Sequence, residues 1–209
     1  MDNDPVREQL ASAAQAFYRR GWMLGTAGNL SAQVGDDRFW ITASGRPKDQ
    51  LSVDDFVAVN GAGAVIYAAP GQKPSAETAI HRVIYQHIPD AKVIFHVHSI
   101  EANLCGHFAR SGQLRLPPLE MLKGLGVADA EPEVDLPVFA NHVRVEQIAE
   151  DMNSAFTAAL PRVPGALIHQ HGVTAWGRDM DSARNHLELL EYCFRYLVQA
   201  KTLAIGVQE

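Results

Sequence analysis

Two histidines separated by a single residue, His96 and His98, carry the clearest chemical signal in the sequence. They interrupt an apolar run, residues 93–98, that predicts a buried strand. Residues i and i+2 of a strand point to the same face, about 6–7 Å apart. Two imidazoles placed in this way can bind one metal ion at about 2.0–2.1 Å from each nitrogen. A pair of hydrogen-bonded core histidines gives the same short pattern, so the spacing alone leaves both interpretations open.

One further histidine and two carboxylates occupy positions that suit chemistry. His171 lies in a predicted tight turn between two strands, where it would complete a site of three histidines with one coordination position open. His169 repeats the same spacing and remains an alternative. Glu120 lies in an irregular apolar stretch, which fits either an exposed loop residue or a functional group in a pocket. Glu77 lies in the first turn of a predicted helix, where compensation of the helix dipole is the commoner role of a carboxylate.

Small residues concentrate in loops of the first 75 positions. The loops are residues 25–29, which end at Asn29, the pair Ser44-Gly45, and residues 73–75, which end at Ser75. Backbone N–H groups of glycine turns, hydroxyl groups and helix N-termini suit a phosphate group. Ser75 is the predicted N-cap of a helix that runs to residue 86. Each loop alone is explained as a turn, and together they indicate a phosphate site.

These side chains must be positioned by a mixture of helices and hairpins. Strands are predicted at 30–34, 38–43, 56–60, 64–68, 93–98, 134–140, 166–169 and 173–176, and helices near the N-terminus and at 75–86, 99–108, 145–160 and 179–203. Residues 113–133 are predicted to be irregular, and Pro137 indicates an edge or bulged strand. The order predicts an α/β protein with a central mixed, largely antiparallel sheet covered by helices on both faces. Residues 1–209 are expected to form a single domain.

Composition excludes several classes of partner. The 209 residues are 47% apolar and 20% charged, with a net charge of −6, which argues against nucleic acid as a main partner. No apolar run approaches the roughly 18 residues of a membrane helix. The acidic N-terminal residues show no signal peptide. Cys105 and Cys193 are far apart in the sequence, so no disulfide framework is predicted and a cytoplasmic protein is expected.

Five short motifs follow one another within residues 15–200. They are TAGNLS at 26–31, TASG at 42–45, KPSAE at 73–77, HVH at 96–98 and QHG at 170–172. In this order they resemble the class II sugar-phosphate aldolase and epimerase superfamily, which includes adducin-like domains. The resemblance implies a three-layer α/β/α fold, one zinc ion per chain on His96, His98 and His171, and a sugar-phosphate substrate. It also implies a homotetramer with sites near the subunit contacts.

Two further segments, LEMLKG at 119–124 and GVTAWG at 172–177, are most similar to the sugar-phosphate dehydratases of that superfamily. This implies that Glu120 is the acid/base carboxylate, whereas Glu77 matches the base of the aldolases. The implied phosphate-binding residues are Asn29, Ser44, Gly45 and Ser75. Gln170 departs from the aldolase pattern, where Asn is usual. An aldolase or 4-epimerase remains an alternative activity, and a non-catalytic interaction module is a third possibility.

Overall fold

The predicted strands assemble into one sheet around the strand that carries His96. The computed structural model describes residues 4–204. Its strands are β1 (Asn29–Gln33), β2 (Arg38–Thr42), β3 (Phe56–Asn60), β4 (Val65–Tyr67), β5 (Val93–Val97), β6 (Gln113–Arg115), β7 (Asp135–Phe139), β8 (Gly165–Ile168) and β9 (Gly172–Gly177). They follow the order β4-β3-β2-β1-β5-β9-β8-β7-β6. Every pair is antiparallel except β7 with β8, which confirms the predicted mixed, largely antiparallel sheet.

Helices cover both faces of this sheet. They are α1 (Asp4–Arg19), α2 (Thr78–His87), α3 (Ile100–Gly106), α4 (Val145–Ala158) and α5 (Met180–Thr202), with 3-10 turns at Val53–Asp55 and Glu120–Leu125. One apolar cluster joins α2 and α4 to one face, and another joins α1, α3, α5 and the turn at 120–125 to the opposite face. This confirms the three-layer α/β/α architecture. No helix within residues 4–204 is long and apolar enough to cross a membrane.

Alternation along β5 decides which face the candidate site occupies. All five residues of the strand are buried. Phe95 and Val97 pack in the cluster of α1 and α5, whereas Ile94 packs in the cluster of α2 and α4. Because side chains alternate along a strand, His96 lies on the same face as Ile94. The site therefore faces α2 and α4.

The N-terminal end of α2 differs from the prediction. Ser75 is not the N-cap, because the helix begins at Thr78 and Glu77 occupies the cap position without a side-chain cap. The backbone N–H of Ser75 donates to Thr42 O at 3.1 Å, and that of Ser44 donates to Lys73 O at 2.9 Å. Since these bonds hold residues 73–75 against the end of β2, the segment stays extended and the helix begins after it.

The region between α3 and α4 also differs. Residues 113–133 were predicted to be irregular, but they contain β6 and the turn at 120–125. A strand of three residues is too short to show a periodic pattern. The prediction of an edge or bulged strand around Pro137 is wrong, since β7 lies between β6 and β8 and pairs with β6 in continuous register. The proline is tolerated because the neighbouring N–H of Val138 donates to Gly112 O at 2.8 Å and continues the pairing.

Candidate metal centre

Three imidazoles and one carboxylate converge at the end of β5. His96 lies on that strand and His98 directly after it. His171 lies in the turn between β8 and β9, and Glu77 lies at the start of α2. One potential ligand atom from each residue lies within 4.8 Å of the others. The fold thus brings together the three histidines and one of the two carboxylates that sequence analysis selected.

Backbone pairing places the turn of His171 beside the other two histidines. β5 and β9 are antiparallel neighbours, with Val97 opposite Val173. At Gly172 the strands approach so closely that an added Cβ would lie 2.1 Å from the carbonyl oxygen of Val97. Asn103 Nδ2 also donates to His171 O at 3.1 Å. The turn is therefore held from both sides, and glycine is required at position 172.

The rings meet through their Nε2 atoms. His96 Nε2 lies 2.9 Å from His98 Nε2, and His171 Nε2 lies 2.6 Å from a carboxylate oxygen of Glu77. The ring planes cross at 74–88°, with centroids 4.6–5.0 Å apart. Such an arrangement directs the ring nitrogens towards a common point, as a tetrahedral metal requires.

The protonation of the histidines suits metal binding. Burial lowers the pKa of His96 to about 4 and that of His98 to about 3, so both rings are neutral at pH 7. His96 Nδ1 lies 2.9 Å from Thr174 Oγ1. If Nδ1–H donates to this hydroxyl, the Nε2 atom keeps its lone pair. Two such nitrogens 2.9 Å apart attract each other only through a shared proton or a cation. The ligand set therefore fits a bound cation.

Glu77 is ionised in this setting. Burial acts to raise the pKa of its carboxyl group, but electrostatic interaction with His96, His171 and His98 and a hydrogen bond from His171 outweigh it and hold the pKa well below its usual range. Asn29 Nδ2 also donates to this carboxylate. Neutral imidazoles together with one carboxylate suit zinc and other divalent transition metals.

The predicted phosphate loops lie close to one another. An isolated antiparallel bridge joins Ala43 to Pro74, so Ser44 lies opposite Lys73 and Ser75 lies opposite Thr42. Lys48, a buried residue that sequence analysis did not select, links residues 25–29 to these loops. Its backbone N–H donates to Gly25 O at 3.0 Å, and its Nζ donates to Thr26 O at 2.8 Å and Arg46 O at 2.9 Å. Burial lowers the pKa of Lys48 to about 8, although the charge of Glu77 opposes this shift. Phosphate binding by these loops stays a prediction.

Asn29 is engaged inside the protein. Its side chain is 2% exposed, its amide nitrogen contacts Glu77, and its amide oxygen lies 2.6 Å from His81 Nε2. His81 is not among the residues selected from the sequence, and it is completely buried beside the site. The signal that could have identified it is its spacing of four residues from Glu77, which places both side chains on one face of α2.

Glu120 lies apart from this cluster. Its side chain is 84% exposed and pairs with Lys123 Nζ at 3.2 Å. The turn that it begins contributes Leu122 and Leu125 to the core on the α1, α3 and α5 side, across the sheet from the imidazoles. His169 is also separate, since its ring packs 5.0 Å from that of His107. The catalytic role of Glu120 stays a prediction.

Curated relatives cover nearly the whole chain. A methylthioribulose-1-phosphate dehydratase from Microcystis aeruginosa is 53% identical over 199 residues, which cover 95% of this chain and 97% of that protein. Proteins of the same name from Leptospira biflexa and Sorangium cellulosum are each 40% identical, the first over 95% of this chain and 99% of its own length, the second over 90% and 88%.

Solved structures of other proteins share this fold, and the sequence matches a protein-family model. YgbL from Escherichia coli, described as a putative aldolase/epimerase/decarboxylase, matches with a TM-score of 0.80 at 22% identity, over 94% of this chain and 90% of that chain. L-fuculose-1-phosphate aldolase from Thermus thermophilus matches with a TM-score of 0.74 at 22% identity, over 96% of each chain. Residues 8–198 match the family model for the Class II Aldolase and Adducin N-terminal domain. The chain belongs to the class II aldolase and adducin family.

Proposed function

We propose that this chain is a lyase that dehydrates 5-methylthioribulose 1-phosphate to 2,3-diketo-5-methylthiopentyl 1-phosphate, a step of methionine salvage, and that it uses zinc. The observation that carries the proposal is the 53% identity, over 95% of the chain, to a protein named for this reaction. The cluster of three histidines and Glu77 supports it, because it offers a metal site to a sugar-phosphate carbonyl. Residues 1–209 would form one catalytic domain of a cytoplasmic enzyme.

His96, His98 and His171 would hold the metal. When bound there, a divalent ion supplies Lewis-acid polarisation of a carbonyl oxygen. The chain contributes the orientation of its ligands, since Thr174 holds the ring of His96 and Asn103 holds the turn of His171. We choose zinc because imidazoles dominate the ligand set, and iron, copper and nickel are the other metals that imidazole suits.

Dehydration needs one proton removed from C3 of the sugar and another delivered to the hydroxyl group on C4. The C3–H electron pair forms the C2–C3 double bond of an enol. The π pair of the C2 carbonyl moves to its oxygen as this double bond forms. When the C4 hydroxyl receives a proton and leaves as water, the C2 carbonyl re-forms and the double bond shifts to C3–C4. The resulting enol takes a proton at C4 and loses its C3 hydroxyl proton to give the 2,3-diketone. Glu77 is ionised and next to the imidazoles, so it can accept the C3 proton, or contact the metal when no substrate is bound.

Glu120 would deliver the proton to the C4 hydroxyl. Within one chain it is exposed and lies across the sheet from the imidazoles, so it does not contribute to the cluster of its own chain. In a homotetramer, an exposed carboxylate on this face can serve the site of a neighbouring protomer. We therefore propose that the active sites lie at subunit contacts and combine Glu77 of one protomer with the neighbour's Glu120.

The phosphate group would bind to the loops that Lys48 joins. Ser44, Gly45 and Ser75 offer hydroxyl groups and backbone N–H groups beside the end of β2. Asn29 has its amide oxygen engaged by His81 and one N–H by Glu77, so a second N–H is left for a ligand. The positive charge of Lys48 near these loops would favour a phosphate in a chain whose net charge is −6.

Metal analysis combined with product identification tests the proposal. Purified protein should contain about one zinc per chain, lose activity on chelation, and convert methylthioribulose 1-phosphate into a diketone with loss of water. Cleavage of a carbon–carbon bond would identify an aldolase instead, and inversion at C4 an epimerase. A protein with less than half an equivalent of metal and no sensitivity to chelators would contradict the metal site itself.

A further inference from the structure

A chain of buried hydrogen bonds leads from Glu77 into the interior on the α2 side of the sheet. Tyr85 Oη lies 2.7 Å from Ser31 Oγ, which lies 2.6 Å from His81 Nδ1. His81 Nε2 lies 2.6 Å from Asn29 Oδ1, and Asn29 Nδ2 contacts Glu77 Oε2. His81 and Ser31 are completely buried, and Asn29 is 2% exposed. Every polar atom in the middle of this chain therefore has its partner inside the protein.

The positions of the amide nitrogen and oxygen of Asn29 decide which atom donates in each hydrogen bond of this network. The amide nitrogen of Asn29 faces a carboxylate oxygen of Glu77, and its amide oxygen faces His81 Nε2, so Asn29 donates to Glu77 and accepts from His81. His81 Nε2 must then carry a proton. Burial lowers the pKa of His81 to about 4, so the ring holds only that proton and its Nδ1 is an acceptor. Ser31 donates to Nδ1 and in turn accepts from the phenol of Tyr85, whose pKa burial raises far above its usual range.

We propose that His81 is a positioning residue for the candidate active site: it holds the Asn29 amide so that its N–H faces the carboxylate of Glu77. With the amide reversed, the oxygen of Asn29 would face a carboxylate oxygen of Glu77, two acceptors would meet, and the side chain of Glu77 would be displaced. His81 never touches substrate in this scheme. The inference deepens the proposed function, because it assigns a source for the orientation of the base.

A buried histidine that merely fills the core is the competing explanation, and the same helix provides a control. His87 is also on α2, and its Nε2 lies 2.8 Å from Asn153 Oδ1. That bond joins α2 to α4 and has no connection to Glu77 among the hydrogen bonds of the described residues. His81 and His87 therefore make the same type of bond to an asparagine, but only one of those asparagines contacts the site.

The direct test is the tautomer of His81 in the zinc-loaded full chain. Nitrogen-15 spectra of histidine-labelled protein, with His81 assigned by comparison with a His81→Gln variant, should show a neutral ring protonated at Nε2 from about pH 6 to 8. A neutral ring protonated at Nδ1, or an imidazolium ion at pH 7, would mean that the hydrogen bonds of this network do not run in the proposed donor-to-acceptor direction. Either result would overturn the inference. This measurement needs no substrate, so it stands even if the proposed reaction is wrong.

Kinetics separate positioning from packing. His81→Phe should lower kcat about 10–100-fold with little change in KM, since partners of this indirect kind typically contribute that factor. His87→Phe should keep the wild-type kcat. His81→Gln should recover part of the loss, because its amide can donate to Asn29 and accept from Ser31. Equal kcat for His81→Phe and His87→Phe would contradict the inference. If His81→Phe does not fold, the Gln variant and the tautomer decide.

Discussion

Each face of the sheet holds a carboxylate that is largely removed from solvent, and the two carboxylates differ in charge. Glu77, on the α2 side, has a pKa held well below its usual range despite burial, because imidazoles surround it. Glu191, on α5 across the sheet, is 4% exposed, and burial raises its pKa to about 8, against a hydrogen bond from Ser99. One of its oxygens has no hydrogen-bond partner. Burial alone thus yields a neutral acid, and only the surrounding nitrogen atoms make a buried carboxylate an ionised base.

The difference in charge between Glu77 and Glu191 gives the two carboxylates different roles, one in the proposed reaction and the other only in stability. An ionised carboxylate can accept a proton at pH 7 and a protonated one cannot, which is the first requirement of a general base. A neutral buried acid does nothing for such a reaction and costs stability whenever the pH favours its ionisation in the unfolded chain. We therefore assign the base to Glu77. Glu191, which has no part in the proposed reaction, serves as the control for substitutions of Glu77.

The largest expected effect comes from removing the imidazoles that make Glu77 different. His96→Ala and His98→Ala should each abolish activity and release the metal, because a site of three histidines loses one of its ligands. His107→Ala is the control, since its ring is exposed and packs against His169 rather than the cluster. Metal analysis and turnover measured on the same preparations check this. Inactive His107→Ala protein would mean that the ligands are wrongly assigned.

The next effect concerns the two carboxylates assigned to proton transfer. General acid–base catalysis contributes roughly 10²–10⁴-fold, so Glu120→Gln should lower kcat by about that factor with metal retained and KM little changed. Glu77→Gln should be similarly damaging if the two residues divide the base and acid roles. Near-normal turnover in Glu120→Gln beside an inactive Glu77→Gln would reverse the assignment and favour an aldolase-like site.

Mixing tests where Glu120 acts. His98→Ala and Glu120→Gln protomers are each inactive alone. If Glu120 serves a neighbouring protomer, mixed oligomers contain some sites with both an intact metal centre and an intact Glu120, so activity should return after subunits are exchanged. A mixture that exchanges subunits but stays inactive would place Glu120 in its own chain's site. A monomer at micromolar concentration in sedimentation would contradict the shared site altogether.

Sequence patterns predicted the elements that are long and periodic, and the ligands that share a strand or a turn. The spacing of His96 and His98 was sufficient because a strand fixes the direction of both side chains. The sequence pattern did not reveal the charge of Glu77. That charge depends on imidazoles that lie 19 to 94 residues away from Glu77 in the sequence. The role of His81 was hidden for the same reason, because its partner Asn29 lies 52 residues earlier. Nor can a local pattern show that Glu120 lies on the opposite face of the sheet.

Glu191→Gln should have a smaller effect, on stability alone. The folded chain keeps this carboxyl protonated up to about pH 8, while the unfolded chain loses the proton near the ordinary pKa of 4.5. The folded state binds more protons in that window, so stability falls as pH rises from about 4.5 to about 8. By pH 7 the cost is roughly 3 kcal/mol. The Glu191→Gln variant would lack this cost, so its Tm should fall less between pH 5 and 8 than that of wild type, with kcat unchanged. Parallel Tm profiles would show that Glu191 is already ionised in the folded chain.

The smallest effect is expected in the turn that carries His171 towards Glu77. Gln170 has a φ of 52°, in the left-handed region that asparagine tolerates better than glutamine. Gln170→Asn should therefore stabilise the protein by less than about 1 kcal/mol and raise Tm by at most about 4 °C. Ser111 has a φ of 51° in a loop of the α3 side, and Ser111→Asn is the matched control. Both variants should gain similar stability, because both relieve the same backbone strain. If Gln170→Asn instead lost metal or activity while Ser111→Asn did not, Gln170 would contribute to the geometry of His171 through its side chain, and the turn would belong to the site as well as to its support.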